Sequence, residues 1–480
     1  MAFNADSMIA PFMKGIWTAV SILTACSAAC SRAEEGGEAL PSSPKDGPPD
    51  ILLIVADDLG WGDVGFRQGG IDTPNIDRLA HEGTTLDRFY AFPVCSPSRA
   101  ALLTGRSPMR YGFLQGPIKD FNKRRNLPLD EVLLPELLHH AGYATSMIGK
   151  WHLGTLKDWW PQARGFDHFY GHLNGMVDYY THEFEGGLDW QRDGVSVREN
   201  GYSTDLMGAE AVRILENRDK EKPLFLYLSF NAPHFPLQAP EDLIQKYAGV
   251  EDENRRVYCA KVEAMDRAIG RVLDALEEQG MDRETLVIFL SDNGASQVQG
   301  GSNGSLHSGK FTVYEGGIRV PAILRWPGRI PAGRVSEQLT ILMDILPTLA
   351  SVAHFSPQED RPLDGVDILP FLQEERTEQR KPFLFAQQKV VKTLEALIDW
   401  PWKLLKRISR EDRSAETYLF RLDQDPSEEE DLAGANKDRV KQYEKILDDW
   451  VTYDPHQPWH FGSRPPEWFP PEDWTKIPGN

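Results

Sequence analysis

Two pairs of oxygen-bearing side chains, Asp57 with Asp58 and Asp292 with Asn293, each directly follow a short apolar run of the chain. Hard divalent cations such as Ca²⁺ prefer carboxylate and amide oxygens as ligands. A single Asp-Asp pair after a strand is more often a turn or a helix cap, but two such pairs in one chain favour a metal site. The pattern therefore predicts a cation held between two strand ends.

A cysteine, Cys95, stands where a helix is predicted to begin, in the run of residues 95–106. Pro97 suits the first helical turn, where its missing N–H would have no partner, and Ser96 suits the N-cap. Backbone N–H groups and the dipole at a helix N-terminus attract anions. The pattern thus predicts a sulfur atom beside an anion-binding position, and the alternative is a buried free cysteine near a helix start.

Four apolar runs share one property, because polar residues follow each of them at its carboxyl end. We predict these runs to be strands, at residues 51–56, 144–148, 224–230 and 286–291. In open α/β sheets, ligands bind beyond the carboxyl ends of the strands. The strands should therefore bring Lys150, His152 and His234 to the same edge of the sheet as the two acidic pairs.

The wider pattern of residues 50–375 alternates apolar runs with helix-like segments, which is typical of an α/β domain. Helices are predicted at residues 130–141 and 257–279, the second ended by Gly280. We expect a large mixed, mostly parallel sheet flanked by helices.

The pattern of predicted strands and helices changes after about residue 375, and we expect residues 376–480 to form a smaller α+β subdomain. Antiparallel strands are predicted at residues 402–406 and 418–422, followed by a terminal helix at 437–450. A tail rich in Trp and Pro begins at His456 and should lie along the surface as an extended strap.

Charge and the first residues of the chain bear on partners and location. The formal net charge of −20 argues against nucleic acid as a partner. Residues 1–33 resemble a signal peptide, since their apolar stretch is too short to span a bilayer. Residues 23–26 also resemble a lipobox, which would attach a lipid to Cys26. We expect an exported protein that is periplasmic, secreted or an outer-membrane lipoprotein, with residues 34–49 as a linker.

Six segments together resemble the sulfatase family of the alkaline-phosphatase superfamily. In chain order they are Asp57-Asp58, residues 95–106, residues 149–154, Pro233-His234, residues 291–294 and residues 309–320. The resemblance covers most of residues 50–375 and, more weakly, the C-terminal part. It implies an alkaline-phosphatase-like fold and hydrolysis of sulfuric esters. It also implies a formylglycine-generating enzyme as a partner that oxidises Cys95 to formylglycine.

The resemblance assigns a role to each matching residue. One Ca²⁺ per chain would be bound by Asp57, Asp58, formylglycine 95, Asp292 and Asn293. The catalytic residues would be Arg99 and Lys150, which stabilise the formylglycine hydroxyls, His152 as a base, and His234 and Lys310, which contact the sulfate and the leaving oxygen.

The implied mechanism is nucleophilic. One hydroxyl of the hydrated aldehyde attacks sulfur, and His234 with Lys310 protonates the leaving alkoxide. His152 then deprotonates the second hydroxyl, which expels sulfate. An acidic chain that acts on an anionic ester needs local positive charge, which these basic groups and the cation supply.

The substrate is implied by residues 164–171, 178–182 and 223–240 and by the spacing from Asp292 to Gly317, which resemble the N-acetylgalactosamine-4-sulfatase (arylsulfatase B-like) branch. That branch implies a galactose-configured sugar sulfated at O4, in a sulfated carbohydrate. His307 is a further substrate-binding candidate, but it stands where the branch carries arginine, so sugar recognition should differ. Candidates for stacking on a sugar are Trp159, Trp160, Tyr179 and Tyr180, with packing residues as the alternative for each. The basic residues 123–125 could attract a polyanionic glycan.

Two other classes of function stay open at this point. One is a phosphodiesterase or phosphonate monoester hydrolase of the same superfamily, since some of these enzymes also use formylglycine. A glycan-binding protein on an inactive sulfatase scaffold would not need the catalytic residues, and the intact run at Cys95 with both histidines argues against it.

Overall fold

A computed structural model describes residues 47–116, 126–357, 360–374, 377–389, 391–450 and 472–476. The chain divides into two compact units at Pro44, and all described residues belong to the second unit, Lys45–Asn480. Four predicted features lie outside the described residues, wholly or for the most part: the leader with Cys26, the linker, the basic residues 123–125 and the tail from His456. None of the described helices is both long and apolar enough to cross a membrane.

The strands of the described residues form one large sheet, one smaller antiparallel sheet and two short pairs. They are β1 (Asp50–Asp57), β2 (Thr84–Leu86), β3 (Phe89–Tyr90), β4 (Ala144–Lys150), β5 (His168–His172), β6 (Glu183–Phe184), β7 (Gly187–Leu188), β8 (Gln191–Arg192), β9 (Val195–Ser196), β10 (Leu224–Pro233), β11 (Thr285–Ser291), β12 (Ala322–Arg325), β13 (Arg334–Ser336), β14 (Thr340–Ile341), β15 (Phe383–Gln388), β16 (Lys392–Asp399), β17 (Trp402–Ser409) and β18 (Ala415–Arg421).

The α-helices of the described residues follow the same chain order. They are α1 (Pro74–Glu82), α2 (Cys95–Thr104), α3 (Leu134–His140), α4 (Ser203–Asn217), α5 (Glu241–Lys246), α6 (Glu253–Glu278), α7 (Glu315–Ile318), α8 (Ile345–Val352), α9 (Leu369–Gln373) and α10 (Lys437–Trp450).

The large sheet has the strand order β13-β2-β12-β11-β1-β10-β4-β5-β8-β9. The five central strands β11, β1, β10, β4 and β5 are parallel to one another. On one side β12 pairs antiparallel with β11, and on the other side β8 pairs antiparallel with β5. The four strands predicted to carry the site are therefore neighbours, and the mixed, mostly parallel sheet is confirmed. Their carboxyl ends are level, since Ala56 pairs with Ser291 and Ser229 with Gly149.

Helices cover both faces of this sheet, as expected for strands that are apolar on both sides. On one face Ile54 and Leu228 pack against α4 and α6. On the other face Leu53 and Phe225 pack in a core that includes residues of α2, α3 and α8. Because helices pack on both faces, the carboxyl ends of these strands are held in place.

Three helix starts differ from the predictions. α6 begins at Glu253, four residues earlier than predicted, because the Asp252 carboxylate accepts a hydrogen bond from Arg255 N at 2.7 Å and caps the helix. α3 begins only at Leu134, because Pro135 has no N–H to donate to the carbonyl four residues earlier, so the helix cannot extend further toward the N-terminus.

The third difference concerns Ser96, which is not the N-cap of α2. Val94 occupies that position, and Cys95 is the first residue of the helix. The Ser96 hydroxyl instead donates to the backbone carbonyl of His152 at 2.7 Å. The serine thus joins the start of α2 to the segment after β4.

A separate C-terminal sheet has the order β15-β16-β17-β18 and is antiparallel throughout. The strands predicted in residues 402–406 and 418–422 are its last two strands, and the terminal helix has the predicted bounds. One face packs through Phe385 and Leu405 against Tyr90 and Phe92 of the larger part, and the other packs against α10.

Candidate active site

The carboxyl ends of β1, β10, β4 and β11 bring the predicted polar residues together. Asp57 ends β1, and Asp58 follows it with a φ of 66°, a left-handed conformation that aspartate tolerates better than most residues. Asp292 and Asn293 follow β11, and all four side chains of the two predicted pairs are buried. The structure therefore brings the two acidic pairs into one cluster.

Cys95 lies at this cluster, as the first residue of α2. Its Sγ is 3.3 Å from Asp57 Oδ1, 3.8 Å from Asp58 Oδ1 and 3.5 Å from Lys310 Nζ. Burial, followed by the charges of Asp292 and Asp57, raises the pKa of the thiol well above its usual range. The unmodified side chain is thus a protonated thiol, which is a weak nucleophile.

Three cationic side chains each pair with one carboxylate of the cluster. Lys150 Nζ lies 2.6 Å from Asp57, Lys310 Nζ lies 2.7 Å from Asp58, and Arg99 Nη2 lies 2.8 Å from Asp292. Burial alone would raise the pKa of Asp58, but the charge of Lys310 lowers it below its usual range. These pairs neutralise three buried carboxylates inside a protein of large negative charge.

Arg99 also fixes the neighbouring backbone, since its Nη1 donates to Lys150 O at 2.9 Å. The Ser229 hydroxyl, on β10, donates to the same carbonyl at 2.8 Å. Sequence inspection did not single out Ser229. Its position inside an apolar strand, close to the polar carboxyl end, is the signal that could have revealed it.

The two predicted histidines are neutral imidazoles. His234 Nε2 is 3.7 Å from Asp58 Oδ2, and its Nδ1 is 2.7 Å from the carbonyl oxygen of Phe235. Burial, followed by the charge of Lys310, lowers the pKa of His234 well below its usual range. Burial and the charge of Lys150 do the same to the pKa of His152.

The His152 ring occupies a space left by two glycines. A Cβ added to Gly116 or Gly175 would lie 2.9 or 2.6 Å from His152 Nε2. The buried Nδ1 atom has no hydrogen-bond partner among the described residues. An unpartnered, neutral imidazole nitrogen at this position is free to bind a ligand group or to accept a proton.

The cluster also has the chemistry of a metal site. Asp57, Asp58, Cys95 and His234 each offer a ligand atom, and these atoms lie within 4.8 Å of one another. Asn293 Nδ2 donates to Asp58 Oδ1 at 2.7 Å, whereas its buried Oδ1 has no partner among the described residues. A buried amide oxygen without a donor, next to carboxylates, fits a hard cation such as Ca²⁺.

The stacking candidates are mostly buried, which favours the alternative that they are packing residues. Trp159, Trp160 and Tyr179 are buried side chains. The indole N–H of Trp159 donates to Leu127 O at 2.6 Å, and the Tyr179 hydroxyl lies 2.6 Å from Asn231 O. These rings fill the core and use their polar atoms on the backbone, so they offer no face to a sugar.

Tyr180 and His307 remain accessible. Tyr180 is an exposed side chain whose ring packs at 5.4 Å from that of Tyr202. The His307 ring stacks on Tyr314 at 4.3 Å, and its Nδ1 lies 3.2 Å from Ser427 O. Contact with the C-terminal part thus fixes the position of the His307 ring.

Two family models match the chain. The one described as Sulfatase matches residues 49–355, and the one described as N-sulphoglucosamine sulphohydrolase, C-terminal, matches residues 306–451. The first match covers more than half of the chain and includes every residue of the cluster.

Relatives with known names agree with the first match. The chain is 39% identical over 348 residues to N-acetylgalactosamine-6-sulfatase of Canis lupus familiaris, covering 67% of this chain and 66% of that protein. It is 41% identical over 329 residues to arylsulfatase J of Mus musculus, covering 67% and 55%. The chain therefore matches about two thirds or less of the length of these relatives.

A solved structure matches a larger share of both chains. The crystal structure of Ps i-CgsB in complex with k-i-k-neocarrahexaose is 33% identical, with a TM-score of 0.80, and the match covers 87% of this chain and 95% of that one. Sequence and fold thus lead to the same conclusion: the chain belongs to the sulfatase family, a family of sulfuric ester hydrolases.

Proposed function

We propose that this protein hydrolyses a sulfate ester on a sulfated carbohydrate, with residue 95 as the nucleophile after its oxidation to formylglycine. The observation that carries the proposal is the position of Cys95 Sγ, which lies within 4 Å of Asp57, Asp58 and Lys310. A side chain at this position contacts both the carboxylates of Asp57 and Asp58 and the ammonium of Lys310. A formylglycine-generating enzyme is the partner that would carry out the oxidation.

The basic groups of the cluster would bind the anionic sulfate. Lys150, Lys310 and Arg99 hold fixed positive charges in a buried site, where electrostatic stabilisation is stronger than in water. The charges are positioned before the substrate arrives, because each group is already paired with a carboxylate.

The residues that would hold one Ca²⁺ are Asp57, Asp58, Asp292 and Asn293 together with the oxygen of residue 95. Bound there, the ion would supply Lewis-acid charge that polarises the sulfate and lowers the pKa of a nearby hydroxyl. The free Asn293 Oδ1 supports this assignment.

The protein's own residues account for the proton transfers. One hydroxyl of the hydrated residue 95, having lost its proton to bulk water, attacks sulfur as an alkoxide, and the bond from sulfur to the sugar oxygen breaks. His234 gives a proton to the leaving oxygen, because an anionic sulfate beside the imidazole raises its pKa in the bound state. His152 then takes the proton of the second hydroxyl, the aldehyde re-forms, and sulfate leaves.

For the substrate, we propose a galactose-configured sugar sulfated at O4, as the sequence resemblance implies. The relatives named N-acetylgalactosamine-6-sulfatase make O6 the competing position, and the neocarrahexaose complex supports an oligosaccharide. The export signal proposed for residues 1–33 would place the enzyme where such glycans are found.

A substrate panel tests the proposal. Sulfate release is measured from N-acetylgalactosamine 4-sulfate, its 6-sulfate isomer and neocarrahexaose, with an aryl sulfate and an aryl phosphodiester for comparison. We expect faster turnover of the sulfates and no release by the Cys95→Ala variant. Preferred turnover of the phosphodiester would identify a phosphodiesterase, and binding of the glycans without release would identify a glycan-binding protein.

A further inference from the structure

Exposed aromatic rings are rare in the described part of the chain and are concentrated near the candidate active site. Tyr180, Phe235 and Phe311 are the aromatic residues among its large exposed hydrophobic side chains, at 44%, 45% and 45% exposure. Single exposed apolar side chains are normal on protein surfaces and need no explanation. Phe235 and Phe311 differ from such isolated side chains, because each directly follows a residue of the candidate active site. Phe235 follows His234, and Phe311 follows Lys310.

The segments that carry the two phenylalanines meet at one point of the site. His234 Nε2 and Lys310 Nζ approach the same oxygen, Asp58 Oδ2, at 3.7 and 2.7 Å. The ammonium of Lys310 lies 5.2 Å from the centre of the Phe311 ring. The two rings therefore belong to segments that converge on the place where the sulfate and the leaving oxygen are proposed to lie.

Phe311 is held in an unfavourable backbone conformation. Its φ is 67°, in the left-handed region, which is a strained outlier for a bulky residue. Its N–H donates to Pro93 O at 2.9 Å, two residues before Cys95, and Lys310 N donates to Ala295 O at 3.0 Å. The backbone around the site fixes this conformation, although it places an apolar ring in water.

Phe235 lies on a segment that is fixed on both sides. The buried amino group of Lys261, on α6, donates to the carbonyls of His234 and Pro236, the second at 2.6 Å. The Tyr179 hydroxyl lies 2.8 Å from the same His234 carbonyl. Tyr179 thus holds this segment in place and does not bind sugar itself, and Phe235 projects from a fixed support.

We propose that Phe235 and Phe311 form an aromatic clamp that packs against the apolar face of the sugar unit carrying the sulfate. The inference rests on the proposed function and names residues that recognise its substrate. Pyranose rings present C–H groups on one face, and an aromatic ring that is already in position buries them at little cost in conformational entropy. The clamp would orient the sugar so that the sulfate lies against the cations of the cluster.

The test compares Phe235→Ala and Phe311→Ala with Val335→Ala, which removes an exposed apolar side chain from strand β13. KM and kcat are measured with N-acetylgalactosamine 4-sulfate, its 6-sulfate isomer and neocarrahexaose. Binding of the same three sugars is measured by calorimetry in the Cys95→Ala background. We expect each Phe→Ala change to raise KM and Kd about threefold to tenfold, with kcat within about twofold.

Two further variants separate recognition from folding. Phe235→Trp should retain wild-type KM, because it keeps an aromatic face. Phe311→Gly should raise KM like the alanine variant and also raise Tm, because glycine adopts the positive φ without strain. A lower Tm in Phe311→Gly together with an unchanged KM would assign Phe311 to folding and overturn the clamp.

The outcomes distinguish the clamp from the proposed function. Sulfate release with KM and Kd unchanged in both Phe→Ala variants would overturn the clamp and leave the enzyme activity standing. Sugar binding that depends on both phenylalanines, without sulfate release, would support the clamp and overturn the proposed activity. If none of the three sugars is bound or hydrolysed, both proposals are overturned.

Discussion

The ammonium of Lys150 lies 2.6 Å from the carboxylate of Asp57, and both side chains are fully buried. They stand at the ends of β4 and β1, two parallel strands separated in the sheet by β10. Removal of one member of a buried ion pair leaves the other charge uncompensated, at a cost of about 3–5 kcal/mol. Lys150→Ala should therefore lower the free energy of unfolding by about that amount and abolish activity.

Urea denaturation measures this cost, with the exposed Lys222→Ala as the control. A change below about 1 kcal/mol, the range of exposed ion pairs, would show that the Lys150–Asp57 pair is not a buried one.

The second prediction concerns the reason for the oxidation of Cys95. A serine at this position has one hydroxyl, so Cys95→Ser can accept a sulfo group but lacks the second hydroxyl that would expel it. We expect a burst of at most one leaving group per chain and a mass increase of one sulfo group on the peptide that contains residue 95. Continuous turnover by Cys95→Ser would contradict the role given to the second hydroxyl.

The third prediction concerns Ca²⁺. A ligand that binds only the folded state raises stability, by about 2.7 kcal/mol at a concentration 100 times its Kd. We expect added Ca²⁺ to raise the Tm of the wild type and of the control Asp242→Ala, whose carboxylate is exposed. Asp57→Ala should lose the shift, and an equal shift in that variant would place the ion elsewhere.

The fourth prediction concerns pH and a buried trio that joins the C-terminal part to the catalytic part. Lys403 Nζ lies 3.0 Å from Glu315 and 2.8 Å from Glu428, and all three side chains are buried. Burial, and then the charge of Glu315, raises the pKa of Glu428 from 4.5 to about 7 although Lys403 opposes the shift. Two carboxylates share one ammonium, so the trio favours binding of one proton.

Because the pKa is higher in the folded state, the folded protein binds more protons than the unfolded chain between pH 4.5 and about 7. This contribution to the free energy of unfolding is therefore lost as the pH rises through that window, by about 1.4 kcal/mol per unit at most. Glu428→Gln should remove this dependence while keeping an acceptor for Glu315 N, which now donates to Glu428 at 2.6 Å. Urea denaturation at pH 5, 6 and 7 gives the free energy of unfolding of the wild type and of Glu428→Gln. The same pH dependence in the two proteins would contradict the prediction.

The sequence allowed the site to be predicted more completely than the surface around it. Asp57, Lys150, His234 and Asp292 follow apolar runs, and in a parallel sheet this position alone brings them to one edge. The start of α3 was predicted too early because the missing N–H of Pro135, which cannot donate to the carbonyl four residues earlier, was not taken into account.

The stacking residues were the part that sequence could not decide. Tyr179 and Tyr180 are adjacent, yet one is fully buried and the other is exposed. Burial of an aromatic side chain depends on tertiary packing, which has no local signal in an irregular segment. Lys261 was missed for the same reason, although a lysine among the apolar residues of α6 was the available sign of a buried partner.

The central claim is that residue 95, once oxidised, is the group that attacks sulfur. The most direct test prepares the protein with graded fractions of formylglycine, by co-expression with different amounts of the modifying enzyme. Peptide mass spectrometry gives the fraction at residue 95, and sulfate release from N-acetylgalactosamine 4-sulfate and 6-sulfate gives kcat. We predict that kcat rises in proportion to the formylglycine fraction and extrapolates to zero. Full activity of chains that retain the unmodified Cys95 would contradict the account.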